Sequence, residues 1–358
     1  MSDTERKTVA PRENPHLLGH EAAERTLLAA WQSERLHHAW LITGPRGIGK
    51  ATLAYRFARF VLAGGAMGQG GDLGIPTDHP VFRRVASGGH ADLLTVERQP
   101  MDNGKRLRTE IVVSDVRKVA PFLALSAAED GWRVVVIDGG EAMNDSAANA
   151  LLKPLEEPPQ RALVLIVAQG FGRILPTIRS RCRRLSLEPL ADDQVVELVI
   201  RHRPDLDRDA VRVLGRLANG SVGRALALAE VDGVGLHGRV RALFESLPAL
   251  DAPAVQALGD QVARAGADAL FAAATEMIAW WLGRIVRNAA LANGGGQVSA
   301  DGADAALIHR LSEAGSLDRW LEVWEKATRL MARADRARLD RKQVLLNIFL
   351  DLQAATTH

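Results

Sequence analysis

The sequence predicts an α/β domain with a parallel sheet, followed by domains made of helices only. Two observations predict this fold class. Apolar runs of strand length alternate with helical patterns up to about residue 188, and only helical patterns follow Pro189. Strands that alternate with helices are typical of parallel sheets, since each parallel connection needs a crossover. A glycine-rich loop after the first apolar run gives this sheet a candidate site.

The first elements lead into that loop. Apolar residues recur at helical spacing over residues 21–33, which predicts a helix. Residues 38–42 form an apolar run that predicts a buried strand, and residues 51–62 predict a second helix. The strand, the glycine loop and the helix therefore follow one another in the order that a phosphate-binding P-loop requires.

The loop itself, LITGPRGIGKATLA at residues 41–54, nearly matches G-x-x-x-x-G-K-[ST]. Backbone N–H groups of such a loop face phosphates, and the lysine neutralises their charge. Ala51 replaces the hydroxyl that binds magnesium, and Thr52 points about 100° away around the helix axis. The alternative is a glycine turn without a ligand. The candidate nucleotide-binding residues are Gly44, Pro45, Arg46, Gly47, Ile48, Gly49, Lys50, Ala51 and Thr52.

Further strands and helices are predicted downstream. The stretches DLLTVERQ (92–99) and TEIVVSDV (109–116) have strand character, and Ser114 is a candidate cap for a helix over residues 116–125. A capped helix is predicted at residues 145–155, and the apolar run at 162–168 predicts another buried strand.

The apolar run at residues 132–138 predicts a central strand that ends in a carboxylate, Asp138. An ATPase carries an acidic pair here, one carboxylate for magnesium and one to orient the attacking water. Gly139 and Gly140 follow instead, and the next carboxylate is Glu141. Removing one positioned group commonly costs about a hundredfold in rate, so two altered positions argue against hydrolysis.

The rest of the chain is helical in pattern. A small helical unit covers residues 192–232, the stretch VDGVGLHG (231–238) predicts a linker, and long helices are predicted at 268–292 and 317–333. We therefore predict three domains, with bounds 1–188, 189–234 and 235–358.

Composition narrows the function classes. The formal net charge is +2, so composition does not favour an independent DNA-binding protein. Cys182 is the single cysteine, which excludes an intramolecular disulfide and a cysteine-rich zinc site. The chain shows no secretory signal and no apolar run long enough for a bilayer. A cytoplasmic protein without membrane contact is expected.

Two longer motifs identify a family. The run NDSAANALLKPLEEPP (144–159) and the run LPTIRSRCRRL (175–185) closely resemble the AAA+ subunits of the bacterial DNA polymerase III clamp loader. The resemblance covers residues 19–230 and extends to the C-terminal helices only in general character. It implies an AAA+ P-loop domain, a small helical lid domain and a C-terminal helical collar domain.

Within the family, the chain looks like the delta-prime type. The ATP-hydrolysing motor type (gamma/tau), which is the alternative, keeps a hydroxyl after Lys50 and a glutamate after Asp138, and this chain keeps neither. In GSVGRALALAE the motor type would also place a nucleotide-sensing arginine at Gly223. Asp138 has no second carboxylate beside it, and Ala51 has no hydroxyl. The resemblance therefore implies that the loop binds ATP or ADP weakly at most and does not hydrolyse it.

The resemblance gives Arg181, in the SRC turn, the role of an arginine finger that acts in trans on a neighbouring subunit's ATP. A permanently charged, forked side chain suits phosphate oxygens. The alternative is a solvated basic edge made by the arginines of this turn. The implied partners are the gamma/tau motor and delta subunits, the sliding clamp and primer-template DNA. The resemblance implies no required cofactor and no zinc. It also implies no intrinsic catalysis by this chain, which would be a subunit of an assembly with DNA-directed DNA polymerase and clamp-loading ATPase activity.

Overall fold

The computed structural model describes residues 9–65, 72–100, 107–128, 131–293, 304–337 and 339–357. They form two compact units, one reaching to Leu206 with Ala218–Arg224 added, the other made of Asp207–Leu217 and the chain from Ala225 onward. The three-domain division stays a prediction. The glycine-rich segment at 63–78 lies partly outside the described residues.

The first unit is built on a five-stranded parallel sheet. Its strand order is β2-β3-β4-β1-β5, and every pairing in it is parallel. Strands β1 and β4 are buried along their whole length, as the continuous apolar runs predicted. The α/β fold class with a parallel sheet is thereby confirmed. The strands are β1 Ala39–Thr43, β2 Leu93–Val96, β3 Arg133–Asp138, β4 Ala162–Ala168 and β5 Arg183–Ser186.

Helices cover both faces of this sheet. Strand residues alternate between two cores: Ile42 and Val136 pack with the helices of one face, and Leu41 and Val135 with those of the other. The helices of the first core are α1 Glu21–Gln32, α2 Lys50–Leu62 and α3 Pro80–Ala86. Those of the second are α4 Val113–Val116, α5 Val119–Ala124, α6 Asp145–Glu156 and α7 Pro176–Arg179.

Helices make up the rest of the described chain. They are α8 Asp192–His202, α9 Arg208–Leu217, α10 Val222–Glu230, α11 Gly233–Glu245, α12 Ala252–Val262, α13 Asp268–Asn293, α14 Ala305–Glu313, α15 Leu317–Ala337 and α16 Arg341–Thr356. The predicted helical character beyond residue 192 is therefore confirmed. Helix α13 packs against α14 and α15 within the second unit.

One strand prediction is wrong. In the stretch 109–116 only Ile111 pairs, through an isolated bridge to Met143, and the chain turns helical at Val113. Ser114 therefore lies inside α4 instead of capping a helix. The start of α4 is held by Asp115, whose carboxylate accepts the N–H of Val112 at 3.3 Å. This local hydrogen bond fixes the helical turn where β-branched residues favoured a strand.

The predicted linker at 231–238 is also wrong, because α11 begins within it at Gly233. The Asp232 carboxylate accepts the N–H of Gly235 at 3.1 Å and caps the helix. Leu236 and Val240 are buried. The cap and this apolar burial outweigh the cost of glycine in a helix, which is about 1 kcal/mol per residue.

One helix corrects the expectation that no segment could cross a bilayer. Residues Asp268–Ala292 of α13 are long and apolar enough, with a mean hydropathy of 1.3 in the best window, half of which is buried in the protein. Trp280 and Trp281 on this helix are 8% and 0% exposed. Core helices of soluble proteins share these properties, so the finding is weak evidence for a membrane span.

Candidate functional site

The glycine-rich loop joins β1 to α2 at the carboxyl ends of the strands. Gly44, Gly47 and Gly49 have φ values of +150°, +76° and +106°, which side-chain-bearing residues rarely adopt. The glycines thus shape the loop directly. Ligands of open parallel sheets bind at this edge, and the N-terminus of α2 adds N–H donors for an anion.

A second segment of the same unit, which includes Ser221 and Gly223, is hydrogen-bonded to this loop. The Ser221 hydroxyl donates to the carbonyl oxygen of Arg46 at 2.8 Å, and the N–H of Gly223 donates to that of Gly47 at 2.9 Å. A Cβ on Gly47 would lie 2.5 Å from the Ser221 hydroxyl oxygen. A Cβ on Gly223 would lie 3.0 Å from the Cα of Gly47, so the absence of a side chain at Gly223 permits this close backbone packing.

His20 is a loop contact that the sequence analysis missed. Its ring lies 5% exposed just before α1, and Nε2 is 2.6 Å from the carbonyl oxygen of Ile48. Residue 48 is 28 positions away, so no local pattern links the two. The ring fixes the loop from the side of α1.

Lys50 is the first residue of α2 and its side chain is largely buried. The ammonium group donates to the carbonyl oxygen of Pro45 in its own loop. Burial lowers the pKa of Lys50, while the negative charges of Glu141 and Asp138 act in the opposite direction. The ammonium group of Lys50 thus lies within the loop, and its role towards a phosphate stays a prediction.

The acidic side of the loop lacks the second carboxylate of an ATPase. Asp138 ends β3, and burial, with the charge of Glu97 next, raises the pKa of this carboxyl. Gly139 has φ +90°, a conformation that suits glycine. The Glu141 carboxylate accepts the N–H of Gln169 at 3.1 Å. Glu141 is thus engaged at the end of β4 and does not replace the missing group.

These residues fit a phosphate better than a hydrolytic centre. Loop glycines, a helix N-terminus and Lys50 lie together at one edge of the sheet. Ala51 offers no oxygen, and Thr52 is buried at 9% exposure. Among the described residues no cluster of three or more His, Cys, Asp or Glu side chains is placed to hold a metal ion.

Replacing Asp138 with Asn is expected to stabilise the chain more at about pH 7.5 than at about pH 4. The raised pKa means that the folded state keeps a proton above 3.8, where the unfolded chain has released it. Stability from this group is therefore lost as pH rises through the folded-state pKa, and Asn does not titrate. Urea unfolding of both proteins at the two pH values measures the difference; a pH-independent difference would contradict it.

Arg181 lies near the amino ends of the strands, whereas the loop follows the carboxyl end of β1. Arg183, the first residue of β5, pairs with Trp40 of β1, four positions before Gly44, and Arg181 precedes β5 by two residues. At about 3.3 Å per residue the four positions from Trp40 to Gly44 span ~13 Å along the strand. The structure therefore brings the predicted loop residues and Asp138 together and leaves Arg181 apart from them.

The other arginines of the turn rest on aromatic rings. The guanidinium carbons of Arg179 and Arg184 lie 4.7 Å and 4.6 Å from the centre of the Phe171 ring. That of Arg183 lies 4.9 Å from the Trp40 ring. These contacts use the guanidinium faces for packing. Arg181 has no ring contact of this kind among the described residues, and its side chain is 34% exposed.

Cys182 follows Arg181 and serves packing. Its side chain contacts the core on the α6 side of the sheet, and burial raises the pKa of the thiol to about 12. A thiol that stays protonated at neutral pH is a poor nucleophile.

Comparison with known proteins relates the first part of the chain to replication subunits. The family model described as "DNA polymerase III, delta subunit" matches residues 19–191. The chain is 35% identical to DNA polymerase III subunit delta' of Pseudomonas aeruginosa over 189 residues, 51% of this chain and 53% of the relative. It is 33% identical to subunit delta' of Escherichia coli over 209 residues, 58% of each chain.

A relative named as a gamma subunit matches at lower identity. The chain is 25% identical to DNA polymerase III subunit gamma of Buchnera aphidicola over 229 residues, 62% of this chain and 58% of the relative. The matches thus span little more than half the length of these relatives. The matched segment 19–191 holds both the P-loop and the SRC turn. Residues 19–191 are therefore similar to DNA polymerase III delta subunits, and proteins named delta' are among the similar relatives.

Proposed function

We propose that this chain is a delta-prime subunit of a bacterial clamp loader, cytoplasmic and inactive as an ATPase on its own. It assembles with gamma/tau motor and delta subunits, which use ATP to load the sliding clamp on primer-template DNA. Arg181 acts as the finger on a neighbouring motor's ATP. The degenerate loop binds ATP or ADP weakly and without turnover, and no zinc is needed.

The observation that carries the proposal is the separation of the two sites within one sheet. Arg181 precedes β5 at the amino ends of the strands, and its own P-loop follows the carboxyl end of β1, with ~13 Å of strand between Trp40 and Gly44. An arginine finger must reach the γ-phosphate directly, so Arg181 cannot serve this loop and suits a partner's site. The chain thus carries an arginine that can act on a neighbour's ATP. It lacks two groups that it would need for its own hydrolysis, a hydroxyl at position 51 and a carboxylate at position 139.

The gamma/tau motor is the competing function, favoured by the gamma relative. Ala51 and Gly139 argue against the motor function, since neither has a side-chain group that can bind magnesium or orient the attacking water. The engagement of Glu141 by the N–H of Gln169 adds to this argument. The motor would hydrolyse ATP as a purified single chain.

A reconstitution tests the proposal. Gamma and delta subunits from the same organism are assayed for DNA-stimulated ATPase and clamp loading, with and without this chain. We expect no ATPase from this chain alone, and clamp loading only when it is added. Calorimetric titration with ATP and ADP measures occupancy of the loop. Magnesium-dependent turnover by the isolated chain that Lys50→Ala abolishes would support the motor instead.

A further inference from the structure

A carboxylate of the neighbouring helix holds Arg181. Glu156 is the last residue of α6, and its Oε1 lies 2.6 Å from Nη2 of Arg181. The other nitrogen, Nη1, donates to the carbonyl oxygen of Thr177 at 2.8 Å and contacts the Ser180 hydroxyl oxygen at 3.3 Å. Both ends of the guanidinium are therefore fixed by groups of the same unit, although the side chain is 34% exposed.

The anchors of Arg181 differ from those of its neighbours because they include a carboxylate and no aromatic ring. Arg179 and Arg184 lie over the Phe171 ring, and Arg184 also donates through Nε and Nη2 to the Ser186 hydroxyl oxygen at 3.3 Å and 3.1 Å. At Arg181 the contacts are made by N–H groups in the guanidinium plane, so they set the direction of the plane itself. Three contacts for five donors leave two N–H groups for a further acceptor.

The Glu156 contact adds little to fold stability. Its side chain is 48% exposed, and pairs between exposed charges contribute about 0–1 kcal/mol. An arginine side chain, however, carries about 2 kcal/mol of rotamer entropy that must be lost when it docks on a phosphate. Contacts that restrict the side chain beforehand reduce that loss in the transition state.

We propose that Glu156 is a positioning residue for Arg181: it orients the guanidinium towards the neighbouring subunit's ATP before the subunits meet. The inference rests on the proposed function. What Glu156 supplies is an acceptor oxygen at a fixed place, at the end of the α6 helix. Its negative charge is not required, since a carboxamide oxygen in the same place accepts the same hydrogen bond.

The test is a set of variants of the full chain in the reconstituted loader, with ATPase measured over a range of ATP concentrations. Glu156→Ala is expected to lower kcat about five- to tenfold with KM for ATP unchanged, because ATP binds to the neighbour. Glu156→Gln keeps the acceptor and is expected to lower kcat less than about threefold. Glu157→Ala removes the adjacent carboxylate and is the control, expected to match wild type.

A double-mutant cycle separates positioning from a general structural effect. In the Arg181→Ala background, Glu156→Ala is expected to have no further effect, since its role acts through the arginine. The same loss in both backgrounds, an unchanged kcat, or an increased kcat in Glu156→Ala would overturn the inference. A normal ATPase in Arg181→Ala alone would instead reject the proposed finger, so the two failures are distinguishable.

Discussion

Replacing Arg181 with alanine is expected to eliminate ATP turnover at the motor site next to this chain while the loader still assembles. Arginine fingers contribute roughly 10³–10⁵ in rate, because they stabilise charge that develops on the transferred phosphoryl group. The side chain lies on the surface, so its loss leaves the sheet and its two cores intact. The readouts are DNA-stimulated ATPase and clamp loading in the reconstituted assembly.

Arg179→Ala is the matched control for this experiment. It removes the same charge two positions earlier, from a guanidinium packed on Phe171. The control is expected to retain ATPase, whereas Arg181→Lys is expected to remain impaired, since an ammonium cannot replace the planar fork. Wild-type turnover in Arg181→Ala, with assembly verified by size-exclusion chromatography, would reject the finger role.

Trp281→Ala is expected to cause a large loss of stability in the second unit. The indole is fully buried in α13, with its ring 5.2 Å from that of Phe244 and 6.0 Å from that of His237. Truncating a buried aromatic side chain to alanine costs about 3–5 kcal/mol, from lost burial and the cavity left behind. For a unit of this size the loss lowers Tm by roughly 6–20 °C. Calorimetry of the full chain measures it.

Trp324 on α15 provides the comparison, since it is 38% exposed. Its replacement by alanine is expected to cost about 1 kcal/mol. Equal destabilisation by the two substitutions would contradict the assignment of Trp281 to the core of this unit. Trp280 and Trp320 are buried like Trp281.

The sequence was most informative where burial is complete. Strands β1, β3 and β4 were predicted because apolar runs buried on both faces differ clearly from helical patterns. Strand β5 was missed since it reads RRLS, at the sheet edge, with only Leu185 buried. The wrong strand at 109–116 and the wrong linker at 231–238 share a feature: in each, an aspartate carboxylate accepts a backbone N–H at the start of a helix, Asp115 in the first and Asp232 in the second.

The site, like the fold, was predictable only where a local sequence pattern marks it. Motif spacing was enough to predict the loop and the position of Lys50, and the missing groups at Ala51 and Gly139 were visible in the sequence. The contacts of His20 with Ile48 and of Glu156 with Arg181 were not, because each joins residues more than twenty positions apart. Such pairs depend on how the elements pack, which no local periodicity encodes. The roles of the site residues stay predictions.

The hydrogen bonds that join Ser221 and Gly223 to the loop have a thermodynamic consequence. A ligand shifts an equilibrium between two conformations only when it binds one of them more tightly than the other. Moving the segment 218–224 away from the loop would break both hydrogen bonds. A ligand of the loop could therefore detach the segment only by binding the detached conformation tightly enough to offset the loss of both bonds.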